Sequence, residues 1–582
     1  MKRSYKIFAL GIFIISFIVG LTTLSDYSIN WDEPGHYMRG QAYLHYFLTG
    51  KQDYTDLPRI ENHYQKSIFE EIPKNIEYKD DSEFRRSIYQ YDREIGRRYT
   101  YRYFINNDGG HPPLIDILSS FSNYIFYQKL GILGDVQAYH VLIIFISSLL
   151  VASAFLFIAT SYGLLAGIIA SLSIYLYPLF FAESHFNIKD PTQTAFYTFT
   201  ILFFYLGVLN NRFVWMVLAG IAAGLALGTK FNILFSAFII MFWIAIVKWR
   251  DLRCFRWPFS KKLTFGILFV PIIAIGMIIV SWPNPQENII KSISFYRTIG
   301  STVQQSKEYY FLGFNTYAIQ WIFYTTPLIV LFFGIFGIAY AIIYGRREKH
   351  YLSILLLIWL LLPIARVSLP QAGIYGGVRQ IMEYIPPLAM LSGIGAFWLH
   401  SILVRFAKKH VSYRFLKKKA SFFLGFLFIL SFLPIVFKLI ELHPNENVYF
   451  NVFIGGLKGA KEKNISGWGL TLGSAYQQGI DWINKNAEVN ADLSLVKGYT
   501  QNIPRINIRK DINFGDNYYS GKEKKGEYLM EVTDYFWTLT IPVDKQKYIK
   551  MLQPVYELNV EGVPILTIWK NDWVNTKLQY RQ

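Results

Sequence analysis

Long apolar runs constrain this chain more than anything else in it. They cover 7–24, 138–160, 163–181, 263–281, 321–343, 351–365 and 421–440. Most approach the ~20 residues a helix needs to cross a hydrocarbon core about 30 Å thick. A water-soluble fold has no use for so many. At 582 residues and 52% hydrophobic, the chain also exceeds one ordinary globular domain. Its pattern predicts an all-α polytopic membrane protein of about eleven spans, at 7–25, 138–160, 163–181, 191–209, 213–229, 232–247, 263–281, 319–344, 351–367, 379–404 and 421–440. The first follows Lys2, Arg3 and Lys6 and lacks a small-x-small cleavage site after Gly20, so it reads as a retained helix rather than a signal peptide.

Charge sets the expected orientation. With a cytoplasmic N-terminus, the inner segments carry 20 Lys and Arg against only Asp251 and Glu348, which accounts for the whole net charge of +18. The positive-inside rule predicts that bias. The run Lys417-Lys418-Lys419 is therefore read as a topology anchor facing anionic lipid and not as a nucleic-acid patch. Parity then places 26–137, 282–318 and 441–582 outside. Residues 1–440 form the expected membrane domain of a multi-pass cell-membrane protein. Residues 441–582 are long enough for an extracytoplasmic α/β or α+β domain, with a helix at 474–486 and β-rich sequence at 553–569. Asn464-Ile465-Ser466 is a glycosylation sequon, a triplet frequent by chance. Cys254 is the only cysteine, which excludes an intramolecular disulfide and a thiolate metal cluster.

The first outer loop predicts interfacial helices. Leu114, Ile117, Leu118, Phe121 and Ile125 form one helical stripe, and 37–48 looks similar. Between them, 51–107 is polar and reads as a flexible or substrate-covering loop.

Polar residues that carry chemistry gather in short outer segments. Asp32 and Glu33, in Asn30-Trp31-Asp32-Glu33-Pro34-Gly35-His36, are adjacent carboxylates beside a span. Such a group needs a purpose or a partner. It serves either as a general base toward an acceptor hydroxyl or as the cap of a helix whose first turn holds Glu33 and Pro34, and the two roles are compatible. His111, before Pro112-Pro113-Leu114, stands at a helix mouth that favours an anion, or is a solvated loop histidine. In Glu183-Ser184-His185-Phe186-Asn187-Ile188-Lys189-Asp190-Pro191, Lys189 either binds a lipid-linked phosphate or pairs with Asp190. Glu183 and His185 are weak candidates for a divalent metal, and no cofactor is otherwise implied. Lys230 and Arg379 are outer cations that either snorkel to headgroups or join Lys189 and His111 in an anion site, since a phosphate needs several charge-assisted donors. Walker, dinucleotide-binding, His-Glu-x-x-His and Gly-x-Ser-x-Gly patterns are absent from the sequence, which argues against a nucleotide-driven pump.

Taken in order, these pieces resemble a known family. Trp31-Asp32-Glu33 with His36, His111-Pro112-Pro113-Leu114, Lys189-Asp190-Pro191, Gly376-Gly377-Val378-Arg379 with Tyr384-Ile385-Pro386-Pro387, and His443-Pro444 through Trp468-Gly469-Leu470 are similar to the glycosyltransferase-C superfamily. Bacterial members like the protein O-mannosyltransferases are the nearest in pattern. The likeness touches points from residue 30 to about 486. It implies an inverting, hexosyltransferase-type transfer from a polyprenyl-phosphate-linked sugar, with Asp32 matching the acidic base and Glu33 its neighbour. Relatives that modify lipid A carry lysine where this chain has His111, which weakens that reading. Eukaryotic protein mannosyltransferases have a β-trefoil that this sequence cannot supply. The acceptor expected is a protein, a glycolipid or a cell-envelope polymer, with membrane lipid around it and no nucleic acid. A transporter or flippase of lipid-linked sugars, or a non-catalytic envelope assembly factor, is the alternative.

Overall fold

The computed structural model describes residues 2–57, 61–65, 72–77, 85–90, 99–108, 110–282, 285–302, 307–347, 350–370, 372–410, 414–496, 503–504, 507–514, 526–533, 549 and 551–571. The chain gathers into two compact units. One comprises Met1–Thr22, Asn107–Ile115 and Leu142–Glu446; the other comprises Thr23–Asn106, Asp116–Val141 and Asn447–Gln582. The second unit thus groups 447–582 with most of the first loop.

The first unit is helical. Among the described residues seven helices are long and apolar enough to cross a membrane: Arg3–Asp26, Asp135–Tyr162, Asp190–Asn210, Lys261–Ser281, Tyr351–Ser368, Arg379–His410 and Lys419–Leu442. Two bent pairs raise this to nine, and Phe213–Leu227 and Phe231–Val247 are shorter apolar helices. The chain is a multi-pass membrane protein. Two expected spans are not straight. The run 163–181 breaks between Leu164–Tyr175 and Pro178–Phe186 at 59°, and 319–344 breaks between Tyr317–Thr325 and Leu328–Tyr344 at 117°. Pro178 and Pro327 explain both, because proline removes a backbone donor and disfavours helical geometry in the residue before it.

Small residues let these helices touch. Gly220 and Gly224 of Phe213–Leu227 lie against Ile273 and Met277 of Lys261–Ser281, and an added Cβ at Gly224 would meet the Met277 sulfur. Gly337 lies so near Leu391 that a Cβ would meet its carbonyl. In lipid, where apolar burial drives little, such close backbone approach is the main source of helix association. Large side chains point outward instead: Val280 is 79% exposed and Ile335 66%.

In the second unit, Glu33–Thr49 forms a helix that starts with Pro34 in its first turn and stops at Gly50, whose φ of 73° suits a left-handed cap. Leu114–Asn123 is helical and continues as a π-helix over Tyr124–Lys129. Its polar face, with Asp116, Ser119, Ser120 and Asn123, is buried while Phe121 is exposed. That inverted amphipathicity fits a helix laid against lipid. Parts of the expected loop 51–107, namely 58–60, 66–71, 78–84 and 91–98, lie outside the described residues. The rest holds an antiparallel hairpin, Glu61–Gln65 with Ile72–Glu77, and a helix Tyr101–Asn107. In the C-terminal region, Leu493–Leu495 pairs parallel with Tyr528–Val532, which pairs antiparallel with Val563–Lys570 and through it with Pro554–Val560. The helix Tyr476–Asn486 packs on this sheet, Gly479 lying against Met530 and Leu566.

Candidate functional site

The two adjacent carboxylates of the second unit occupy opposite environments. Asp32 is exposed and takes the N-cap position of Glu33–Thr49, yet its side chain makes no capping bond. Glu33 is buried. One of its oxygens accepts the Asn30 amide at 2.9 Å, and both lie 3.1–3.2 Å from His140 Nε2. Tyr37 completes the cluster, its hydroxyl 2.5 Å from the same nitrogen. Burial, and Glu33 beside it, push the Tyr37 phenol well above its ordinary value, so it stays protonated. Glu33 is therefore fixed in place, whereas Asp32 faces out. Two neighbouring carboxylates in unlike surroundings are suited to unlike tasks.

The Asp32 loop is held from the far end of the chain. Trp31 donates its amide to the Leu472 carbonyl at 3.1 Å. Gly473, at φ +88°, leaves space that a Cβ would fill at 2.8 Å from the Trp31 ring. His36, one turn into the helix, has its Nδ1 3.3 Å from Asp116 Oδ2 and 2.9 Å from Arg39 Nη2.

A second cluster, of cations, lies in the first unit. Asp190 begins the helix Asp190–Asn210. Its two oxygens take two cations, Lys230 on one and Arg379 Nη1 at 3.2 Å on the other. Asn187 builds the turn that presents it: its carbonyl oxygen accepts the amides of Lys189 and Asp190, and its amide donates to Asp190 and Glu183. Lys189 does not take Asp190 as its partner. It is buried and donates to the Pro112 carbonyl at 2.8 Å, immediately after His111. That turn is tied down in turn, since Leu114 donates its amide to Gly228, two residues before Lys230. Lys189, Lys230, Arg379 and the His111-Pro112 turn therefore share one network around Asp190. Arg366 extends it, with Nη2 3.5 Å from Glu383 and its guanidinium 4.5 Å from the Phe235 ring centre. Lys230 and Arg379 are thus fixed by Asp190, and Arg366 by Glu383. Charge-assisted donors held in place are what an incoming phosphate requires.

Glu183 and His185 have local duties, the first toward Asn187 and the second with Nδ1 2.7 Å from the Phe181 carbonyl. Among the described residues no group of three or more His, Cys, Asp or Glu is arranged to hold a metal ion. Arg39, Asp116, His140, Arg366 and Glu383 escaped the sequence reading. Arg366 and Glu383 carried a usable signal, a charge bordering an apolar run, which is expensive without a partner.

Residues 110–275 match the family model described as dolichyl-phosphate-mannose-protein mannosyltransferase. No curated protein sequence matches the chain. Among solved structures, ArnT from Cupriavidus metallidurans bound to undecaprenyl phosphate is similar at 13% identity and a TM-score of 0.47, over 98% of this chain and 99% of that one. The apo oligosaccharyltransferase of Archaeoglobus fulgidus is similar at 12% identity and 0.45, over 91% and 70%. The archaeal oligosaccharyltransferase AglB of the same organism, with an inhibitory peptide and a dolichol-phosphate, is similar at 12% and 0.45, over 90% and 66%. The resemblance to glycosyltransferase-C enzymes carried by the sequence motifs is thus met, over residues 110–275, by a match to a glycosyltransferase family of that type.

Proposed function

We propose that this protein is an inverting membrane glycosyltransferase that moves a sugar from a polyprenyl-phosphate donor to a protein, lipid or cell-envelope acceptor on the outer face of the cell membrane. The observation that carries the reading is the cation network of Lys189, Lys230 and Arg379 around Asp190, of which Lys189, Asp190 and Lys230 fall inside the segment that matches the mannosyltransferase family and Arg379 outside it. In this reading the acceptor hydroxyl attacks the anomeric carbon. The bond from that carbon to the phosphate oxygen breaks, and its electron pair leaves with the polyprenyl phosphate. Asp32 takes the hydroxyl proton. Lys189, Lys230, Arg379 and His111 stabilise charge growing on the departing phosphate, which preorganised donors do at little reorganisation cost. Asp190 holds two of those cations in place, and His36 supports Asp32. A hexose such as mannose suits the family description, and residues 441–582 are proposed to lie outside the cell and help choose the acceptor.

The test is consumption of radiolabelled polyprenyl-phosphate sugars by the purified protein with a membrane extract as acceptor source. Label appearing in a non-lipid or glycolipid product supports transfer; intact donor throughout sinks it. A lipid-linked sugar transporter is the second reading, favoured by the two bent helix pairs, because transporter sites are often built from broken helices. Movement of labelled lipid across liposomes without bond cleavage would select it.

A further inference from the structure

Arg39 and Asp116 surround one ring nitrogen of His36 and bear on where its proton sits. Gly40 of the helix Glu33–Thr49 lies directly against the Asp116 backbone; a Cβ there would meet the Asp116 carbonyl. That approach brings the two helices together at backbone level and sets Arg39 and His36 on the Asp116 carboxylate. Arg39 binds Asp116 Oδ2 through both Nε, at 2.8 Å, and Nη2. Arg39 and Asp116 are buried, and the His36 side chain is 12% exposed. The same Nη2 lies 2.9 Å from His36 Nδ1. A guanidinium stays charged in proteins and has only donors. A donor-only group at 2.9 Å favours Nδ1 as its acceptor, the arrangement that puts the ring proton on Nε2. A proton on Nδ1 would set N–H against N–H. The contact from Nδ1 to Asp116, at 3.3 Å, is the longer of the two.

We infer that Arg39, itself anchored by Asp116, holds His36 as a neutral imidazole whose Nε2–H donates to the Asp32 carboxylate, making His36 a positioning residue for Asp32. This rests on the proposed role of Asp32 as base. Asp32 and His36 stand four residues apart at the start of one helix, the spacing that puts side chains on the same face. A neutral donor orients a carboxylate without adding a second positive charge that would weaken it as a base. It follows that His36 is not itself the proton acceptor. The pair Arg39–Asp116 determines the tautomer, and neither residue needs to touch a substrate.

The first test reads the tautomer without turnover. Ring-15N-histidine is incorporated into the full chain in detergent, and the His36 signals are identified by difference from His36→Gln. At neutral pH we expect an unprotonated Nδ1 and a protonated Nε2. The Nε2 proton should move upfield in Asp32→Ala, and the tautomer preference should be lost in Arg39→Gln. An Nδ1–H tautomer, a doubly protonated ring, or an Nε2 proton indifferent to Asp32→Ala overturns the inference. These outcomes stand whether or not the protein transfers sugar, so failure of the proposed function is read separately. Turnover supplies the second test. Glutamine places an N–H near the Nε2 position and asparagine near Nδ1. His36→Asn and His36→Ala should lower kcat by about 10–100-fold, the value of a hydrogen bond to a charged group, with donor KM unchanged. His36→Gln should recover most of that loss. Equal loss in all three variants counts against a donor role.

Discussion

Replacing Gly473 with alanine should disable transfer from a position whose side chain carries no chemistry. The residue sits at φ +88°, and its added Cβ would lie 2.8 Å from Trp31 Cδ1, 2.9 Å from Nε1 and 3.3 Å from the Ile29 carbonyl. The left-handed backbone alone costs an L-residue about 1–2 kcal/mol. Forcing an extra methyl into a packed contact adds about 1–3 kcal/mol. Trp31 relieves the overlap by moving, and Asp32 is the next residue, tethered through the same bond to Leu472. A displacement near 1 Å at a reacting group lowers turnover by about 100-fold. Gly473→Ala should therefore lose most of its kcat and some thermal stability. Gly562→Ala is the control: φ is +73° with nothing within 4 Å of the new Cβ, so it meets backbone strain alone and should turn over normally. Transfer assays and thermal unfolding of both purified variants decide the matter. Wild-type kcat in Gly473→Ala would refute the claim that the C-terminal region positions Asp32.

Three further outcomes follow from the contacts. Glu33→Ala leaves the Asn30 amide and His140 Nε2 without their acceptor and should destabilise the protein by about 1–3 kcal/mol for each buried group; Glu33→Gln keeps one acceptor and should lose less on thermal unfolding. Asp190→Ala strands Lys230 and Arg379 together and should cost about 3–5 kcal/mol, with added inorganic phosphate restoring part of the melting temperature by occupying the vacated place. Glu488, hydrogen-bonded by Lys570 and Tyr528, has its pKa lowered to about 2. Its folded value lies below its unfolded one, so the stability it gives is complete above about pH 4.3 and is lost as pH falls toward 2. Both partners are substantially solvent-exposed, so the effect stays under about 1 kcal/mol. Glu488→Gln should flatten that part of an acid-unfolding curve.

The sequence was informative where physics leaves a one-dimensional trace. Apolar runs announced a set of membrane-crossing helices, seven to nine among the described residues rather than the eleven expected, Pro112-Pro113 announced the helix at Leu114, and β-rich sequence at 553–569 matches the strands Pro554–Val560 and Val563–Lys570. Hydropathy could not see that Pro178 and Pro327 bend two runs, because a window average counts a proline as one more residue. Nor could it find the partners. Asp32 and Glu33 are neighbours in sequence, but only the fold shows that one is exposed and the other buried against His140, 107 residues away. Lys189 and Asp190 looked like a pair, yet Asp190 takes Lys230 and Arg379, and Lys189 takes a carbonyl. The link from Trp31 to Leu472 had no sequence signal at all: a backbone bond depends on no side-chain type.

The most direct test of the central claim is single-turnover transfer from a panel of radiolabelled polyprenyl-phosphate sugars, with wild type and Asp32→Asn side by side and their unfolding curves matched. The account predicts that label leaves the lipid for product only with wild type, while Asp32→Asn stays folded and still binds donor. Wild-type transfer by Asp32→Asn, or no consumption of any donor by the folded wild type, would contradict it.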